Sequence, residues 1–559
     1  MPHQSNKISW VKEKYRHLVA LLTVFIFYNS FFLNKAFHID DPYVVAIARA
    51  INRDFFKVPI ELFLSNPLLL GYYYAPVIRF FGEKEIWLHI FYLPFSLLAI
   101  IAMFILSRRF TGEGLLPALS LVISPAFLIM SHNIMLDIPV LAFSLAALAA
   151  FIYGTDKNDN RLLFLSGILI AIASLIKYSG LIFIPIMLIY ALLSSKRKFC
   201  LFLIIPVLIF FIWGIHIKML YKTFPFMAAS LMRVKMWSID EILARSFACL
   251  SFLTGTSIIS LFLIPFLLRK RNNLILLILS FPLGLCPFLF KGVFNSYSCS
   301  EIFFLAVLFI SSIFIILIIL KNGLLALFEN SNKDNLFLSL WFMIGLVFII
   351  SAQFVSARFI LILLPSMFLL IYKELINQPI YFFNSGRKVI LFFAAAVFFI
   401  STILAIGDYR FAGVYRDFPA NLKKKFTQNE HPYFCTATYL NYYAWGYSYY
   451  INKYFPKIEN NNIKDNLGKM QDVFFVTPKE PVLPLVIQNI CPAAEGSTMK
   501  FNLVFINRLD YQSKVFLHNR KYRTGFYSHH WGLLPFKIFW QESTLEEFNT
   551  YKLELVEQN

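Results

Sequence analysis

Apolar residues do not alternate with polar ones along most of this chain; they run together in stretches close to the length of a membrane helix. A hydrocarbon core about 30 Å thick takes roughly 20 mostly apolar residues per helix. Thirteen runs answer to that description, centred on 18–34, 86–107, 115–131, 138–153, 162–176, 179–193, 199–217, 249–268, 273–290, 301–320, 336–352, 358–372 and 388–406. Several are short, and 162–193 reads either as a tight hairpin or as one broken helix. The expected fold is therefore an α-helical multi-span membrane protein of about thirteen transmembrane helices.

The breaks between runs set the orientation. With the N-terminus inside, the inside segments hold 19 Lys and Arg, among them Lys12, Lys14, Arg108, Arg109, Lys196, Arg197, Lys198, Arg269, Lys270 and Arg271. The short outside turns hold Lys177, Lys291 and Arg358. Positive charge marks the cytoplasmic side, so the topology is N-in and, after thirteen spans, C-out. The first run follows basic residues as a signal peptide would, but no small-residue cleavage site follows it, and it is read as a retained span. Regions 35–85, 218–248 and 407–559 are then outside and too long to be turns. Residues 1–406 form the membrane domain. The last region contains no spanning run, and short β-like stretches such as Val473–Val476 and Leu503–Ile506 make it an extracytoplasmic α/β domain.

Composition agrees with this reading: 58% hydrophobic, 18% aromatic and 15% charged among 559 residues. That excludes a large soluble protein, a disordered chain and a coiled coil. The net charge of +20 would suggest nucleic acid in a soluble protein; the inside loops account for much of it, and no nucleic-acid partner is expected. No GxxxxGK[ST], GxGxxG, HExxH, GxSxG or DxD pattern occurs, which argues against nucleotide-driven chemistry. Of six cysteines, Cys435 and Cys491 fall in the outside region, either as a disulfide or as two thiols, and no metal spacing appears.

Candidate chemistry lies at the outside ends of the spans. His38-Ile39-Asp40-Asp41-Pro42 follows the first one. Asp41 before Pro42 suits a helix start, with Asp as N-cap. In the helix beyond, Val44, Ile47, Ala48, Ile51 and Phe55 share one face, and Arg49, Arg53 and Lys57 form a stripe, so it should lie at the membrane surface. Capping needs one carboxylate. The second, Asp40, sits beside it at the edge of the bilayer, where an ionisable group points to function. Asp137 opens the fourth span, Lys177 lies alone between two apolar runs, and Arg358 stands at the mouth of the twelfth. Singly each could cap or snorkel; together they put two acids and two cations on one side of the membrane. Tyr72, Tyr73 and Tyr74 read as interfacial anchors, and Tyr439, Tyr442, Tyr443 and Trp445 as packing of the outside domain.

The stretches HIDDPYVVAIARAI, Asn66-Pro67-Leu68, SHNIMLDIPVLAF and LIKYSGLIFIPIMLIYALL resemble the bacterial relatives of protein O-mannosyltransferases. These belong to the C-type glycosyltransferase superfamily, which includes the lipid A aminoarabinose transferases. Arg358–Pro365 and the tail pieces WGYSYYINKY and SHHWGLLPF continue the likeness. The resemblance implies transfer of a sugar from a polyprenyl-phosphate carrier to an acceptor outside the membrane: a protein hydroxyl, lipid A or another glycan. It implies Asp40 as general base, with Asp41 where a Glu is often found. It implies Asp137 as a shaper of the site, Lys177 and Arg358 as partners of the carrier phosphate, and Asn66 and Tyr178 as further substrate contacts. Related chains often have Lys-Pro-Pro where this one has Asn66-Pro67-Leu68, so one phosphate-facing cation is absent or comes from elsewhere.

The chemistry is consistent with that. A phosphate-linked sugar carries its own leaving group, so inversion needs one base for the acceptor proton and cations for the departing phosphate. Fixed Lys and Arg can do what a divalent ion does elsewhere, and no obligatory metal or cofactor is expected. The rival reading is a secondary transporter or flippase of lipid-linked sugars, but the internal repeats usual in such proteins are not evident.

Overall fold

The computed structural model describes residues 3–224, 226–227, 238–329, 332–376, 380–424, 433–436, 444–454, 473–477 and 500–556. The expected runs coincide with helical segments, beginning with α1 (His3–Ser30) and α4 (Glu85–Thr111), while the region between them holds α2 (Asp41–Arg53) and α3 (Leu69–Phe81). At 1.5 Å per residue, the 27 residues of α4 reach about 40 Å, enough to cross a bilayer with tilt. Among the described residues seven helices have spanning length and composition, or eight with one bent pair. They include α4 and α7 (Asp137–Lys157) and, further on, α10 (Ile204–Tyr221), α13 (Arg271–Leu285), α14 (Cys299–Glu329), α15 (Lys333–Ile350) and α17 (Ile380–Lys423).

The other runs are broken for identifiable reasons. Run 115–131 splits into α5 (Leu115–Ile123) and α6 (Pro125–Met130), because Pro125 cannot continue a helix and Ser124 caps the new one by accepting from the Phe127 N–H. Run 249–268 becomes α11 (Ile239–Gly255) and α12 (Ile259–Leu267), bent by 81°. At the bend the hydroxyls of Thr256 and Ser257 donate to the Phe252 and Leu253 carbonyls, which gives these backbone acceptors a partner in an apolar setting. Run 162–193 is a hairpin: α8 (Asn160–Ile176) ends at an extended Lys177, a 3-10 turn covers Tyr178–Ile182, and α9 (Phe183–Leu193) returns. A Cβ on Gly180 would lie 2.6 Å from the Ala173 carbonyl carbon, so only glycine allows the return. Run 358–372 likewise opens with a 3-10 turn, Ala357–Ile362, before α16 (Leu364–Ile376).

The chain divides into two compact units. The first comprises 1–33, 47–405 and 517–537 and holds the helical bundle. The tail segment 517–537 is tied to it by short polar bonds. Ala357 N–H donates to the Phe526 carbonyl at 2.8 Å, His529 N–H to that of Val355 at 2.9 Å, and the Ser251 hydroxyl to that of Leu533 at 2.6 Å. Buried Glu301 pairs with Arg523 at 2.9 Å and Lys537 at 2.6 Å. The second unit comprises 34–46, 406–516 and 538–559. It contains the C-terminal part of α17, helix α18 (Ala444–Tyr454), and a four-stranded sheet ordered β1-β2-β4-β3. Here β1 is Tyr433–Thr436, β2 Val473–Thr477, β3 Lys500–Phe516 and β4 Lys537–Val556. Strands β1 and β2 pair in parallel, with Tyr433 opposite Val473, and β2 and β4 pair antiparallel. The protein is thus a multi-span helical membrane protein with a C-terminal β domain. Tyr439, Tyr442, Tyr443 and Cys491 lie outside the described residues, as do the side chains of Cys435 and Trp445.

Helix α2 has the expected amphipathic face: Val44, Ile47, Ala48 and Ile51 are buried. That face meets protein, since a Cβ on Gly71 of α3 would stand 2.2 Å from Ile47 Cγ2. Phe55 lies beyond the helix end and is exposed, because α2 stops at Arg53. The three tyrosines of α3 all use their hydroxyls within the fold. Their hydroxyls donate to the carbonyls of Phe55, Phe91 and Leu88 at 2.8–3.1 Å, and Tyr74 is fully buried.

Candidate functional site

In the bundle the site is built from three breaks in the helices. The first is Ser131–Leu136, between α6 and α7, a stretch of irregular backbone that is entirely buried. Buried carbonyls need partners: His89 faces that of His132 at 3.1 Å, and the Tyr92 hydroxyl donates to that of Met135 at 2.8 Å. So braced, the loop delivers Asp137 as the first residue of α7, where a carboxylate suits the helix dipole. The second break is Lys177, whose N–H still bonds Ala173 while its own φ of −152° turns the side chain out of α8. The third is the 3-10 turn carrying Arg358, capped by Ser356 and pinned through Phe526.

These three breaks converge. Lys177 Nζ lies 2.6 Å from Asp137 Oδ1, and Arg358 Nη1 lies 3.6 Å from Asp137 Oδ2. Both cations also face the Phe359 ring, at 4.7 Å and 5.5 Å from its centroid. The carboxylate and the two cations meet in a largely buried setting, where Asp137 is 8%, Arg358 7% and Lys177 17% exposed. Tyr178 is buried against the rings of Phe210, Trp213 and Phe226. Asn66 sits half-buried in the bend before α3 and makes no hydrogen bond to the described residues. It is not brought into the Asp137 cluster by any polar contact.

The second unit holds Asp40 and Asp41. The acids divide their labour. Asp41 is fully buried; its Oδ2 accepts from the His38 N–H at 3.0 Å and faces His38 Nδ1 at 3.2 Å. Its carboxylate therefore turns back onto the loop instead of capping α2, and its Oδ1 has no hydrogen-bond partner among the described residues. The other ring nitrogen of His38 lies 3.2 Å from Asp408 Oδ1 on α17, and Asp408 Oδ2 pairs with Lys35. All four are buried. Burial pulls the His38 pKa down, but the facing Asp408 carboxylate outweighs it, helped by the bonds to Asp408 and Asp41 and opposed by Lys35, so the net direction is up. Asp40 is half-buried at the mouth of α2.

One further cluster, Glu241, His529 and His530, brings a ligand-type atom from each residue within 4.8 Å of the others. It fits a metal poorly. His529 Nδ1 accepts the Val355 N–H at 3.1 Å, so the neutral ring carries its proton on Nε2, the atom 3.9 Å from Glu241 Oε2. Burial, with His530 and Arg245 nearby, pushes the pKa of His529 down to about 3, so the ring is neutral. Arg245 Nε also stands 3.7 Å from the same Glu241 oxygen, where a metal would meet a cation.

Sequence reading missed Lys35, His38 and Asp408 as a set. Lys35 and Asp408 are lone charges at the edges of apolar helices, and that was the available signal.

Residues 65–213 match the family model described as dolichyl-phosphate-mannose-protein mannosyltransferase. The matched stretch contains Asn66, Asp137, Lys177 and Tyr178; Asp40, Asp41 and Arg358 lie outside it. Among solved structures the chain is similar to ArnT from Cupriavidus metallidurans in the apo state, at 13% identity and a TM-score of 0.44, over 90% of this chain and 96% of that one. A second structure of that protein, bound to undecaprenyl phosphate, gives 13% and 0.44 over 88% and 96%. The oligosaccharyltransferase of Archaeoglobus fulgidus gives 15% and 0.45 over 89% and 74%. Likenesses this distant carry no argument about function. No curated protein matches the chain.

Proposed function

We propose that the protein is an inverting glycosyltransferase that moves a sugar from a polyprenyl-phosphate carrier to an acceptor on the outer side of a bacterial inner membrane. The reading carries the topology expected from the loop charges, N-terminus inside and the 407–559 region outside. The observation that supports it most directly is the Asp137 cluster, two of whose three members, Asp137 and Lys177, fall in the stretch matched by the mannosyltransferase family. Its two cations suit a lipid phosphate: Asp137 holds them at one point, where they can stabilise the anion as it departs with its negative charge.

Asp40 is the base in this mechanism. Asp41 is turned onto His38, and the half-buried Asp40 takes the proton of the acceptor hydroxyl as the oxygen attacks the anomeric carbon. The bond from that carbon to the phosphate oxygen breaks, and Lys177 and Arg358 stabilise the released phosphate. Asn66 and Tyr178 belong to the substrate-binding surroundings, Tyr178 by fixing the turn after Lys177 within its aromatic nest. The two cations supply the charge a divalent ion would otherwise bring, and no obligatory metal is part of the mechanism. The acceptor is a protein hydroxyl, lipid A or another glycan.

The test is a comparison of cell-envelope glycans and lipid-linked sugars by mass spectrometry in cells carrying the wild-type gene, a deletion, or Asp40→Asn. Deletion should remove one glycan modification and leave its polyprenyl-phosphate donor accumulated. Asp40→Asn, present in the membrane at the wild-type level, should reproduce the deletion. An Asn variant that restores the modification would remove Asp40 from the chemistry.

A further inference from the structure

Four helices of the bundle end together on the side that the loop charges place inside. Helix α13 begins at Arg271, α14 ends at Glu329, α15 begins at Lys333 and α16 ends at Ile376. Between these ends lies a cavity of about 520 Å³. Buried Glu374 gathers two of the cations that line it: its Oε1 is 3.1 Å from Lys270 Nζ and 3.2 Å from Lys321 Nζ. Lys321 is also held by Asn273, whose Oδ1 accepts from Nζ at 2.6 Å while its own amide donates to the Leu267 carbonyl at 2.7 Å. A third cation, Arg271, is exposed and has no ion-pair partner among the described residues. Asn335 lines the same cavity, and its Oδ1 is buried without a hydrogen-bond partner. A buried acceptor is costly until a donor reaches it. Arg271 also heads an apolar stripe. Leu274, Ile275 and Ile278 follow it at i+3, i+4 and i+7, so the four share one face of α13, and all are exposed. A positive end followed by two turns of bare hydrocarbon has the outline of a phospholipid, phosphate at one level and chains along the helix. A soluble phosphate ester would meet the cations and leave the stripe uncovered.

We propose that this cavity binds the head group of an anionic glycerophospholipid. The phosphodiester lies against Lys270, Arg271 and Lys321, a head-group hydroxyl donates to Asn335 Oδ1, and the acyl chains run along Leu274, Ile275 and Ile278. The anion is the chemistry that a lipid shares with a free phosphate ester; the apolar stripe selects the lipid. Assignment to the inner leaflet rests on the topology carried by the proposed function. The binding itself requires neither that topology nor sugar transfer.

The test is native mass spectrometry of the full chain, released from detergent micelles doped with phosphatidylglycerol or with phosphatidylethanolamine of the same chains. Wild type should retain phosphatidylglycerol in preference. Arg271→Gln, which breaks no ion pair shown among the described residues, should weaken that retention about fivefold, the weight of one cation near a phosphate surface. Adding Lys270→Gln should weaken it further. Arg161→Gln removes another exposed cation, which the loop charges place on the same side, and should change nothing. Soluble glycerol phosphate should not displace the lipid at equal concentration. Equal retention of the two lipids, or retention unaffected by Arg271→Gln, overturns the proposal. So does an equal loss in Arg161→Gln, which would mean a general charge effect, or ready displacement by glycerol phosphate, which would make the occupant a soluble ester. The readout needs no turnover, so selective retention by a chain that transfers no sugar would keep the lipid site and discard the transferase reading.

Discussion

Replacing Asp137 by Asn is the sharpest perturbation of the bundle, because it removes the only carboxylate that the described contacts of the cluster supply to Lys177 and Arg358. With an effective dielectric of about 20, a contact of 2.6 Å corresponds to roughly 6 kcal/mol of gross attraction and one of 3.6 Å to about 4–5 kcal/mol. Desolvation already cancels much of that, and breaking a buried pair costs about 3–5 kcal/mol net, since both cations lose the Asp137 carboxylate. In a protein of this size such a loss should lower the apparent melting temperature by roughly 5 °C, read by intrinsic fluorescence at one fixed scan rate because unfolding is irreversible. Combining Asp137→Asn with Lys177→Met should recover about 2 kcal/mol of the loss, because the second change removes a stranded charge. If the freed cations are the phosphate site, undecaprenyl phosphate should stabilise the Asn variant more than the wild type, by up to about 2.7 kcal/mol at a hundredfold excess over Kd. A variant melting within 1 °C of wild type, or a double variant showing the plain sum of its parts, would refute the charge argument.

Arg358→Gln should weaken binding of undecaprenyl phosphate roughly tenfold or more, measured by the shift in melting on titration with the lipid, while Arg161→Gln, at an exposed helix start, should not. The His38 pKa lies above its unfolded value of 6.5, so its contribution to stability is complete below that pH and is lost as pH rises through the folded value. The melting advantage of wild type over His38→Gln should therefore shrink as pH is raised above 6.5 through the folded value; a gap that widens with pH would contradict the ionic role. Gly71→Val would drive a side chain into Ile47, lowering stability by about 1–3 kcal/mol in the same melting assay. Sugar transfer by purified protein should survive excess EDTA, and loss of transfer restored by a divalent ion would place a metal in the mechanism.

What was legible in the sequence follows from what each pattern has to satisfy. A bilayer imposes length and hydrophobicity on a helix, so the multi-span helical character and the places of the long apolar helices could be read directly. Their breaks could not, because these depend on single residues with no hydrophobic signature: Pro125, Thr256 with Ser257, and Gly180. The site shows the same divide. Asp137, Lys177 and Arg358 were visible as lone charges at span ends, since each is costly there unless something pays for it. Their pairing depends on three helix breaks arriving together, and on a tail segment, Phe526–His529, that steadies the loop of Arg358 from more than 160 positions away. Asp41 shows how a local rule can be overridden. Asp before Pro at a helix start is good capping chemistry, yet the carboxylate turns to His38, because a buried imidazole between two acids is a stronger claim on it than one more helix N–H. That claim originates in Asp408, some 367 positions on. Pairing over such separations leaves no trace in spacing or periodicity. The physical reason Asp40 remains half-open while its neighbour is closed in is therefore tertiary, and only the fold could supply it.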